Sequence, residues 1–253
     1  MEFVNIHTFL IVCPLVFLSG LVDAVAGGGG LSSLPAYLLA GVPMHHALAT
    51  NKLSSAIGTS VSTIRYCRNR FADPVTAVPS ILAALCGSAL GTGLALRTDE
   101  KVLKSVMLFV LPVVAFYVLR RKDLEGNTAR KRSRGISIAL AAAASFVIGG
   151  YDGFYGPGTG TFLLLVYTGL VGMDVRTASG NTKLVNLSSN VAALVTWIIN
   201  GKILAVLGLT AAVFCMAGHY VGSGMVMHRG TKIVKPVILV VLALLFLKIL
   251  SGQ

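Results

Sequence analysis

Two aspartates and two lysines lie in long stretches that hold no other charged residue. They are Asp23, Lys52, Asp152 and Lys183. Where such a stretch crosses a bilayer, an ionised side chain at its centre costs at least about 2.5 to 3.5 kcal/mol, so it marks a transport route or a charge partner. Two roles are compatible here. The four residues pair as buried ions that hold broken helices to their neighbours, and one or both lysines reach a substrate anion.

Each aspartate is followed by a segment that disfavours a helix. Gly27–Gly30 follow Asp23, and Gly-Pro-Gly-Thr-Gly at 156–160 follows Asp152. Consecutive glycines have a large backbone entropy cost in a helix, and proline lacks the N–H donor that a helix needs. We therefore predict that both helices break here and restart, which would present N–H groups and a positive dipole end to an anion.

The predicted anion site combines the two breaks with the polar residues beside the lysines. Asparagine and threonine side chains add neutral donors, although hydrogen bonding between helices explains them equally well. The predicted substrate-binding residues are Gly27, Gly28, Gly29, Gly30, Asn51, Lys52, Gly156, Gly158, Thr159, Gly160, Asn181 and Lys183, with Asp23 and Asp152 predicted for proton or ion coupling.

The composition places these residues in a membrane. Of the 253 residues, 55% are hydrophobic and only 12% are charged, against roughly 25% charged in a soluble protein. This excludes a cytosolic enzyme, a disordered chain and a DNA-binding domain. Charge-free runs of the length that crosses a bilayer as a helix predict about eight full helices with additional broken pieces. The runs are 3–22, 24–51, 75–96, 105–119, 135–151, 153–173, 184–201 and 203–227, with shorter ones at 53–64 and 236–247.

The chain also contains an internal repeat. A shift of 129 residues pairs Asp23 with Asp152 and Gly27 with Gly156, and after a two-residue insertion Lys52 pairs with Lys183. This predicts an N-terminal repeat at 1–119, a basic linker at 120–134 and a C-terminal repeat at 135–253. Each repeat should hold about four helices, the first of them broken or re-entrant. Paired broken helices in corresponding halves indicate the central site of a transporter.

The net charge of +12 is explained by membrane orientation and requires no nucleic-acid partner. Seven basic residues lie in the linker, and basic loops stay in the cytoplasm. If 6–42 crosses twice, the halves are inverted and 14 basic residues lie inside against five outside. One crossing makes the halves parallel, with 12 inside and seven outside. We prefer inverted repeats.

Other residues lead to weaker expectations. The four cysteines form no CxxC or Cys/His cluster, so we expect no metal and no cofactor. We interpret His45, His46 and His219 as loop or core histidines. Asp152 stands among aromatic residues, whereas the sequence neighbours of Asp23 offer no side-chain hydrogen bond. Asp23 is therefore the better proton carrier and Asp152 the better structural anchor.

The chain resembles the TauE/SafE sulfite exporter family over nearly its whole length. The resemblance rests on the two Asp-x-x-x-Gly-x-Gly breaks, on ALATNKL at 47–53 and ASGNTKL at 178–184, and most specifically on YDGFYGPGTGTF at 151–162. The first half departs slightly, with four consecutive glycines where a bulkier residue often interrupts them. The family implies a prokaryotic inner-membrane transporter of sulfite, sulfonates or related sulfur oxyanions.

We accordingly predict a multi-pass secondary transporter, working as an exporter of sulfite, thiosulfate or an organosulfonate. Its partners are the anionic substrate, membrane lipids and a proton as the candidate coupled ion, while the oligomeric state is left open. The alternative is a passive anion channel. A membrane-embedded enzyme is disfavoured because the sequence has no Ser-His-Asp order, HExxH motif or metal cluster.

Overall fold

The computed structural model describes residues 4–103, 105 and 133–229, and the described part contains helices and no strand. The predicted all-α class is thus confirmed. The helices are α1 (Ile6–Ala26), α2 (Gly30–Leu39), α3 (Met44–Arg68), α4 (Pro74–Leu96), α5 (Arg134–Phe154), α6 (Thr159–Val166, continued by a π-helical turn at Tyr167–Val171), α7 (Val175–Ile199) and α8 (Ala205–Arg229).

Five of these helices, α1, α4, α5, α7 and α8, are long and apolar enough to cross a membrane. α3 has the same length as α7 and α8, 25 residues, but is more polar because it carries Asn51, Lys52 and many hydroxyl side chains. A multi-pass membrane protein is confirmed. The predicted spans at 105–119, apart from residue 105, and at 236–247 lie outside the described residues, as does nearly all of the linker at 120–134. The number of full membrane-crossing helices, about eight, therefore stays a prediction.

The first helix of each half is interrupted where the sequence predicts it. α1 ends at Ala26, and Gly27 has a φ of 73°. α5 ends at Phe154, and Gly158 has a φ of 87°. The helices that restart are short: the 10 residues of α2 extend about 15 Å, half the thickness of a hydrocarbon core.

Contacts between helices show which ones run in the same direction. Along α3 and α8, Thr50 contacts Leu204, Ser62 contacts His219 and Arg65 contacts Ser223, so these two helices are parallel. α1 is parallel to α8 as well, because its residues 20 and 24 pack on residues 215 and 222.

α7 runs in the opposite direction to α3. Lys52 contacts Asn190, whereas Thr63, further along α3, contacts Lys183 near the start of α7. α4 is parallel to α7, since residue 73, just before α4, and residue 88 contact residues 181 and 189. α5 is parallel to α4, since residues 84 and 88 pack on residues 149 and 153.

Corresponding helices of the two halves therefore point in opposite directions: α1, α3 and α8 run one way, and α5, α7 and α4 run the other. This is the geometry of inverted repeats, while the duplication itself stays a prediction from the sequence. The same directions bring the loops after α3 and before α5 and α7 to one face. That face carries Arg68, Arg70, Arg134 and Arg176, as the charge count predicts for the cytoplasmic side.

Two apolar clusters lie on either side of a polar layer. One contains Leu163, Leu164 and Leu165 of α6 with Tyr66 and Phe71. The other contains Leu34 and Tyr37 of α2 with Met44, Trp197 and Leu207. Each short helix thus packs within one of the two apolar clusters, and the predicted site residues lie between these clusters. Exposed apolar side chains on the long helices, such as Leu82, Leu90, Val147 and Val213, form a surface suited to lipid.

Candidate functional site

The two breaks meet in the middle of the molecule. The Thr161 N–H donates to the Gly27 carbonyl at 3.1 Å, and the Thr161 hydroxyl donates to the Ala26 carbonyl at 3.0 Å. The backbones of Gly27 and Gly160 are in direct contact, so a Cβ atom on either would overlap the other chain segment. Only glycine permits this approach, and Gly27 also needs its positive φ.

A small cavity of about 30 Å³, lined largely by polar residues, lies beside this crossing. Both breaks contribute to its wall, together with α1, α3, α7 and α8. The residues that line it are Ser19, Gly20, Asp23, Gly27, Gly29, Gly30, Asn51, Lys52, Ser55, Thr59, Asp152, Gly156, Thr159, Gly160, Asn186, Asn190, Cys215 and His219.

The aspartates and lysines form two buried ion pairs that cross between the halves. Lys52 Nζ lies 2.8 Å from Asp152 Oδ2, and Lys183 Nζ lies 2.8 Å from Asp23 Oδ2. Each of the four residues is less than 10% exposed. Of the two roles considered for these residues, ion pairing is what the geometry shows. Because each lysine already neutralises a carboxylate, an anion must share or displace a partner to reach it.

The two aspartates have different additional partners. Asp152 accepts hydrogen bonds from the Thr159 hydroxyl at 2.9 Å and the Ser189 hydroxyl at 2.7 Å. Asp23 accepts one from the Gly29 N–H at 3.2 Å, and its backbone carbonyl accepts from Lys183. The sequence neighbours of Asp23 had suggested that its carboxylate is isolated. The structure shows that it is not, because the fold brings partners to it from other segments.

His219 is also part of this site. It is buried, as expected for a core histidine, but its Nε2 lies 3.6 Å from Asp23 Oδ2 and its Nδ1 lies 2.9 Å from the Ser62 hydroxyl. His45 and His46 do not line the cavity. His45 lies 3.4 Å from Glu100, and His46 contacts the Lys202 carbonyl.

Some predicted site residues lie elsewhere. Gly28, Gly158 and Asn181 are not in the cavity wall, and the Asn181 side chain instead accepts a hydrogen bond from the Asp73 N–H at 2.9 Å. Lys183 and Thr182 line a second, smaller cavity of about 10 Å³, whose wall also includes Gly27 and Gly160. The glycine crossing is thus shared by both cavities.

Sequence reasoning missed the other polar residues of the main cavity. Ser55 and Thr59 lie one and two turns after Asn51 on α3, and Asn186 and Asn190 lie one turn apart on α7. Their spacing of four residues was the available signal, since it places polar side chains on one helix face. Lys52 Nζ donates to Asn190 Oδ1 at 3.0 Å.

The N–H groups at the restarted helices already have acceptors in several cases. At α2, the N–H groups of Leu31 and Ser32 donate to the carbonyls of Gly28 and Gly29. At α6, the side-chain hydroxyl of Thr159, a predicted anion ligand, already donates a hydrogen bond to Asp152. The helix N-termini therefore help to hold the carboxylates and the crossing in place. The remaining predicted anion ligands are side chains next to the lysines.

Two such side chains have an unused polar atom. Asn51 Oδ1 and Thr182 Oγ1 are buried and have no hydrogen-bond partner among the described residues. They are related by the same 131-residue offset as Lys52 and Lys183, each directly preceding a lysine. Buried polar groups are nearly always hydrogen-bonded, so both positions call for a ligand or water. Asn51 faces the main cavity and Thr182 the smaller one.

A family model described as "Sulfite exporter TauE/SafE" matches residues 12–249. The chain belongs to the TauE/SafE family. Among its relatives, "Probable membrane transporter protein ORF9" of Sinorhizobium sp. is 32% identical over 99% of this chain and 95% of its own.

Further TauE/SafE relatives have similar names. "Probable membrane transporter protein YfcA" of Escherichia coli K12 is 32% identical over 93% of this chain and 87% of its own length. A "Probable membrane transporter protein" of Haemophilus influenzae is 29% identical over 99% of this chain and 97% of its own length. No solved structure matches the chain. The resemblance seen in the motifs is thus confirmed, and the chain is a multi-pass protein of a membrane-transporter family.

Proposed function

We propose that this TauE/SafE protein is a secondary transporter that exports a small sulfur-containing oxyanion across the inner membrane of a prokaryote. The substrate class is sulfite, thiosulfate or a short organosulfonate, in keeping with the family description. The observation that supports the proposal most directly is the meeting of both helix breaks around one cavity that is lined by the Lys52–Asp152 pair and by Asp23, the partner of Lys183.

The substrate contacts proposed in the main cavity are Lys52 and Asn51. The ammonium supplies charge, and the amide supplies a hydrogen-bonding group that the protein itself leaves unused. Asparagine oxygen and nitrogen are assigned from the hydrogen-bond network, so a turned Asn51 amide would donate to the anion. In the smaller cavity, Lys183 and Thr182 offer the equivalent pair, which suits a substrate that passes from one lysine to the other.

Alternating access explains the glycine crossing better than a passive channel does. The contact between Gly27 and Gly160 borders both cavities, and apolar clusters lie on either side of the polar layer. A transporter needs such a barrier, and inverted halves are a common way of shifting it from one side to the other. An open channel would require a continuous wet path past the crossing.

Binding and flux experiments test this function. Purified protein in detergent is mixed with sulfite, thiosulfate, sulfate or methanesulfonate, with chloride as the control, and its melting temperature is measured. We expect a rise in melting temperature with at least one sulfur oxyanion, and accumulation of that anion against its gradient in proteoliposomes. Flux that only runs down the gradient would identify a channel instead, and no selective binding would overturn the sulfur oxyanion assignment.

A further inference from the structure

The buried ion pairs create a charge problem for anion binding. Lys183 Nζ contacts both the Oδ2 and the backbone carbonyl of Asp23. If Lys183 turns to an anion in the smaller cavity, Asp23 loses its cation while 7% exposed. An unpaired carboxylate in that position is strongly unfavourable, so another positive charge must replace the ammonium.

His219 is placed to supply that positive charge when its ring is protonated. Its Nε2 lies 3.6 Å from Asp23 Oδ2, the same oxygen that Lys183 contacts. Its Nδ1 lies 2.9 Å from the Ser62 hydroxyl, which fixes the plane of the ring. Histidine is the side chain whose charge changes most readily near neutral pH. Lys183 and a protonated His219 therefore compete for one carboxylate oxygen.

The other ion pair lacks this arrangement. By the 131-residue offset that relates the two lysines, His219 corresponds to Ser88, and Gly58 corresponds to Ser189. Ser189 donates a hydroxyl to Asp152, so that carboxylate keeps a neutral donor when Lys52 moves. At Gly58 there is no side chain, and a Cβ there would lie 2.9 Å from the His219 ring. Asp152 thus has the Ser189 hydroxyl as a neighbour, whereas Asp23 has the His219 imidazole.

We propose that His219 is the proton-binding residue of this protein and that its protonation is linked to the release of Lys183 from Asp23. This rests on the proposed function, because an anion is what draws Lys183 away. The proton comes from water, binds Nε2 of the neutral ring and leaves with the anion's departure, when Lys183 returns. The proton offsets one negative charge of the entering anion, so the net charge of the buried site changes by one unit less than it would without the proton.

The surroundings of His219 allow this exchange. Asp23 of α1 and Ser62 of α3 contact the ring directly. Lys183 of α7 contacts Asp23 and so lies on the far side of that carboxylate, and Cys215 lies one turn before His219 on α8. The remaining charged or titratable neighbours are engaged elsewhere: Arg65 lies over the Tyr220 ring, and the Tyr66 hydroxyl donates to the Ala24 carbonyl. Among the described residues, Asp23 is therefore the carboxylate nearest to the ring.

The exchange can be measured without any substrate. The protein is labelled with ¹⁵N-histidine in nanodiscs, and the His219 signal is assigned by its loss in His219→Gln. At about pH 6, we expect a neutral ring in the wild type and a protonated ring in Lys183→Met, where Asp23 has no other cation. In Lys183→Met/Asp23→Asn the ring should be neutral again. A neutral ring in both Lys183→Met and the wild type would overturn the proposal.

Proton uptake provides a second measurement that needs no Lys183 variant. Thiosulfate is added to wild-type protein in weak buffer with a pH indicator, and we expect about one proton taken up per anion bound, with affinity falling about tenfold per pH unit above the titration of the histidine. His219→Gln should lose this uptake and the pH dependence. His45→Gln, at the remote Glu100 pair, is the matched control and should behave as wild type.

The two measurements separate this inference from the proposed function. If no tested oxyanion binds, the function fails while the histidine spectra still report on the Lys183–His219 competition. If thiosulfate or sulfite binds with no proton uptake, or if His219→Gln keeps the full pH dependence, the role given to His219 is wrong and the transport function stands.

Discussion

At the scale of single residues, each ion pair neutralises two buried charges. Lys52 and Asp152 are each less than 10% exposed and lie 2.8 Å apart. Removing one member of such a pair leaves a buried charge without a partner, whereas removing both leaves none. We therefore expect loss of a lysine to alter stability as well as binding, and variants have to be designed so that the two effects can be separated.

We expect Lys52→Met to lower the free energy of unfolding by about 3 to 5 kcal/mol, because Asp152 keeps its charge and loses its cation. The double variant Lys52→Met/Asp152→Asn should recover most of this stability and still fail to bind sulfite or thiosulfate. Thermal unfolding in detergent with and without the anion distinguishes them. A double variant that binds like wild type would show that Lys52 does not contact the substrate.

The unpaired hydroxyl of Thr182 gives a second residue-scale prediction. Thr182→Val keeps the shape and removes a buried polar atom that has no partner among the described residues. We expect melting temperature without anion to stay the same or rise slightly, and the stabilisation by anion to become smaller. Thr63→Val is the control, since its hydroxyl donates to the Lys183 carbonyl at 3.2 Å and its loss should lower stability by about 1 kcal/mol.

At the scale of helices, the crossing of the two breaks depends on the absence of side chains. Gly160 has an ordinary backbone conformation, so a substitution there tests packing alone, whereas Gly27 also requires a positive φ. We expect Gly160→Ala to lower the free energy of unfolding by about 1 to 3 kcal/mol through overpacking against Gly27, and to abolish transport in proteoliposomes.

Gly93→Ala is the matched control for this prediction. A Cβ at Gly93 of α4 has nothing within 4 Å, so alanine should be neutral or stabilise the helix by about 0.5 to 1 kcal/mol. Equal effects of Gly93→Ala and Gly160→Ala would show that the glycines at the crossing are not needed for close approach.

At the scale of the whole molecule, the helix directions predict which ends share a side of the membrane. Ser133 precedes α5 and His228 lies at the end of α8, on the face that carries Arg68 and Arg176, whereas Asn200 follows α7 on the opposite face. After replacement of the exposed Cys67 and Cys86, single cysteines at 133 and 228 should react from the cytoplasm. A cysteine at 200 should react with an impermeant maleimide in intact cells.

Parallel halves would give a different labelling pattern. With 6–42 counted as one crossing, residue 228 would lie outside while residue 133 stayed in the cytoplasm. External labelling at 228 would therefore contradict the observed helix directions in the membrane, and external labelling at 133 would contradict the orientation inferred from the basic residues.

The sequence alone determined the membrane class, the position of both helix breaks and the need of four isolated charged residues for partners. Each of these follows from local chemistry. A low charge content requires a lipid environment, four consecutive glycines or a Gly-Pro-Gly segment disfavours a continuous helix, and isolated charges in apolar runs need partners. The motifs at the two breaks and around the two lysines were likewise sufficient to indicate the TauE/SafE family.

Only the tertiary structure decided which groups meet. Asp23 pairs with Lys183 and Asp152 with Lys52, so each pair joins residues far apart in the chain, and His219 comes to Asp23 from α8. Asn181 was expected at the site because it precedes Lys183 by two residues, yet helical geometry turns it to Asp73. Sequence spacing fixes the face of a helix on which a residue lies, while the packing of helices determines what that face contacts.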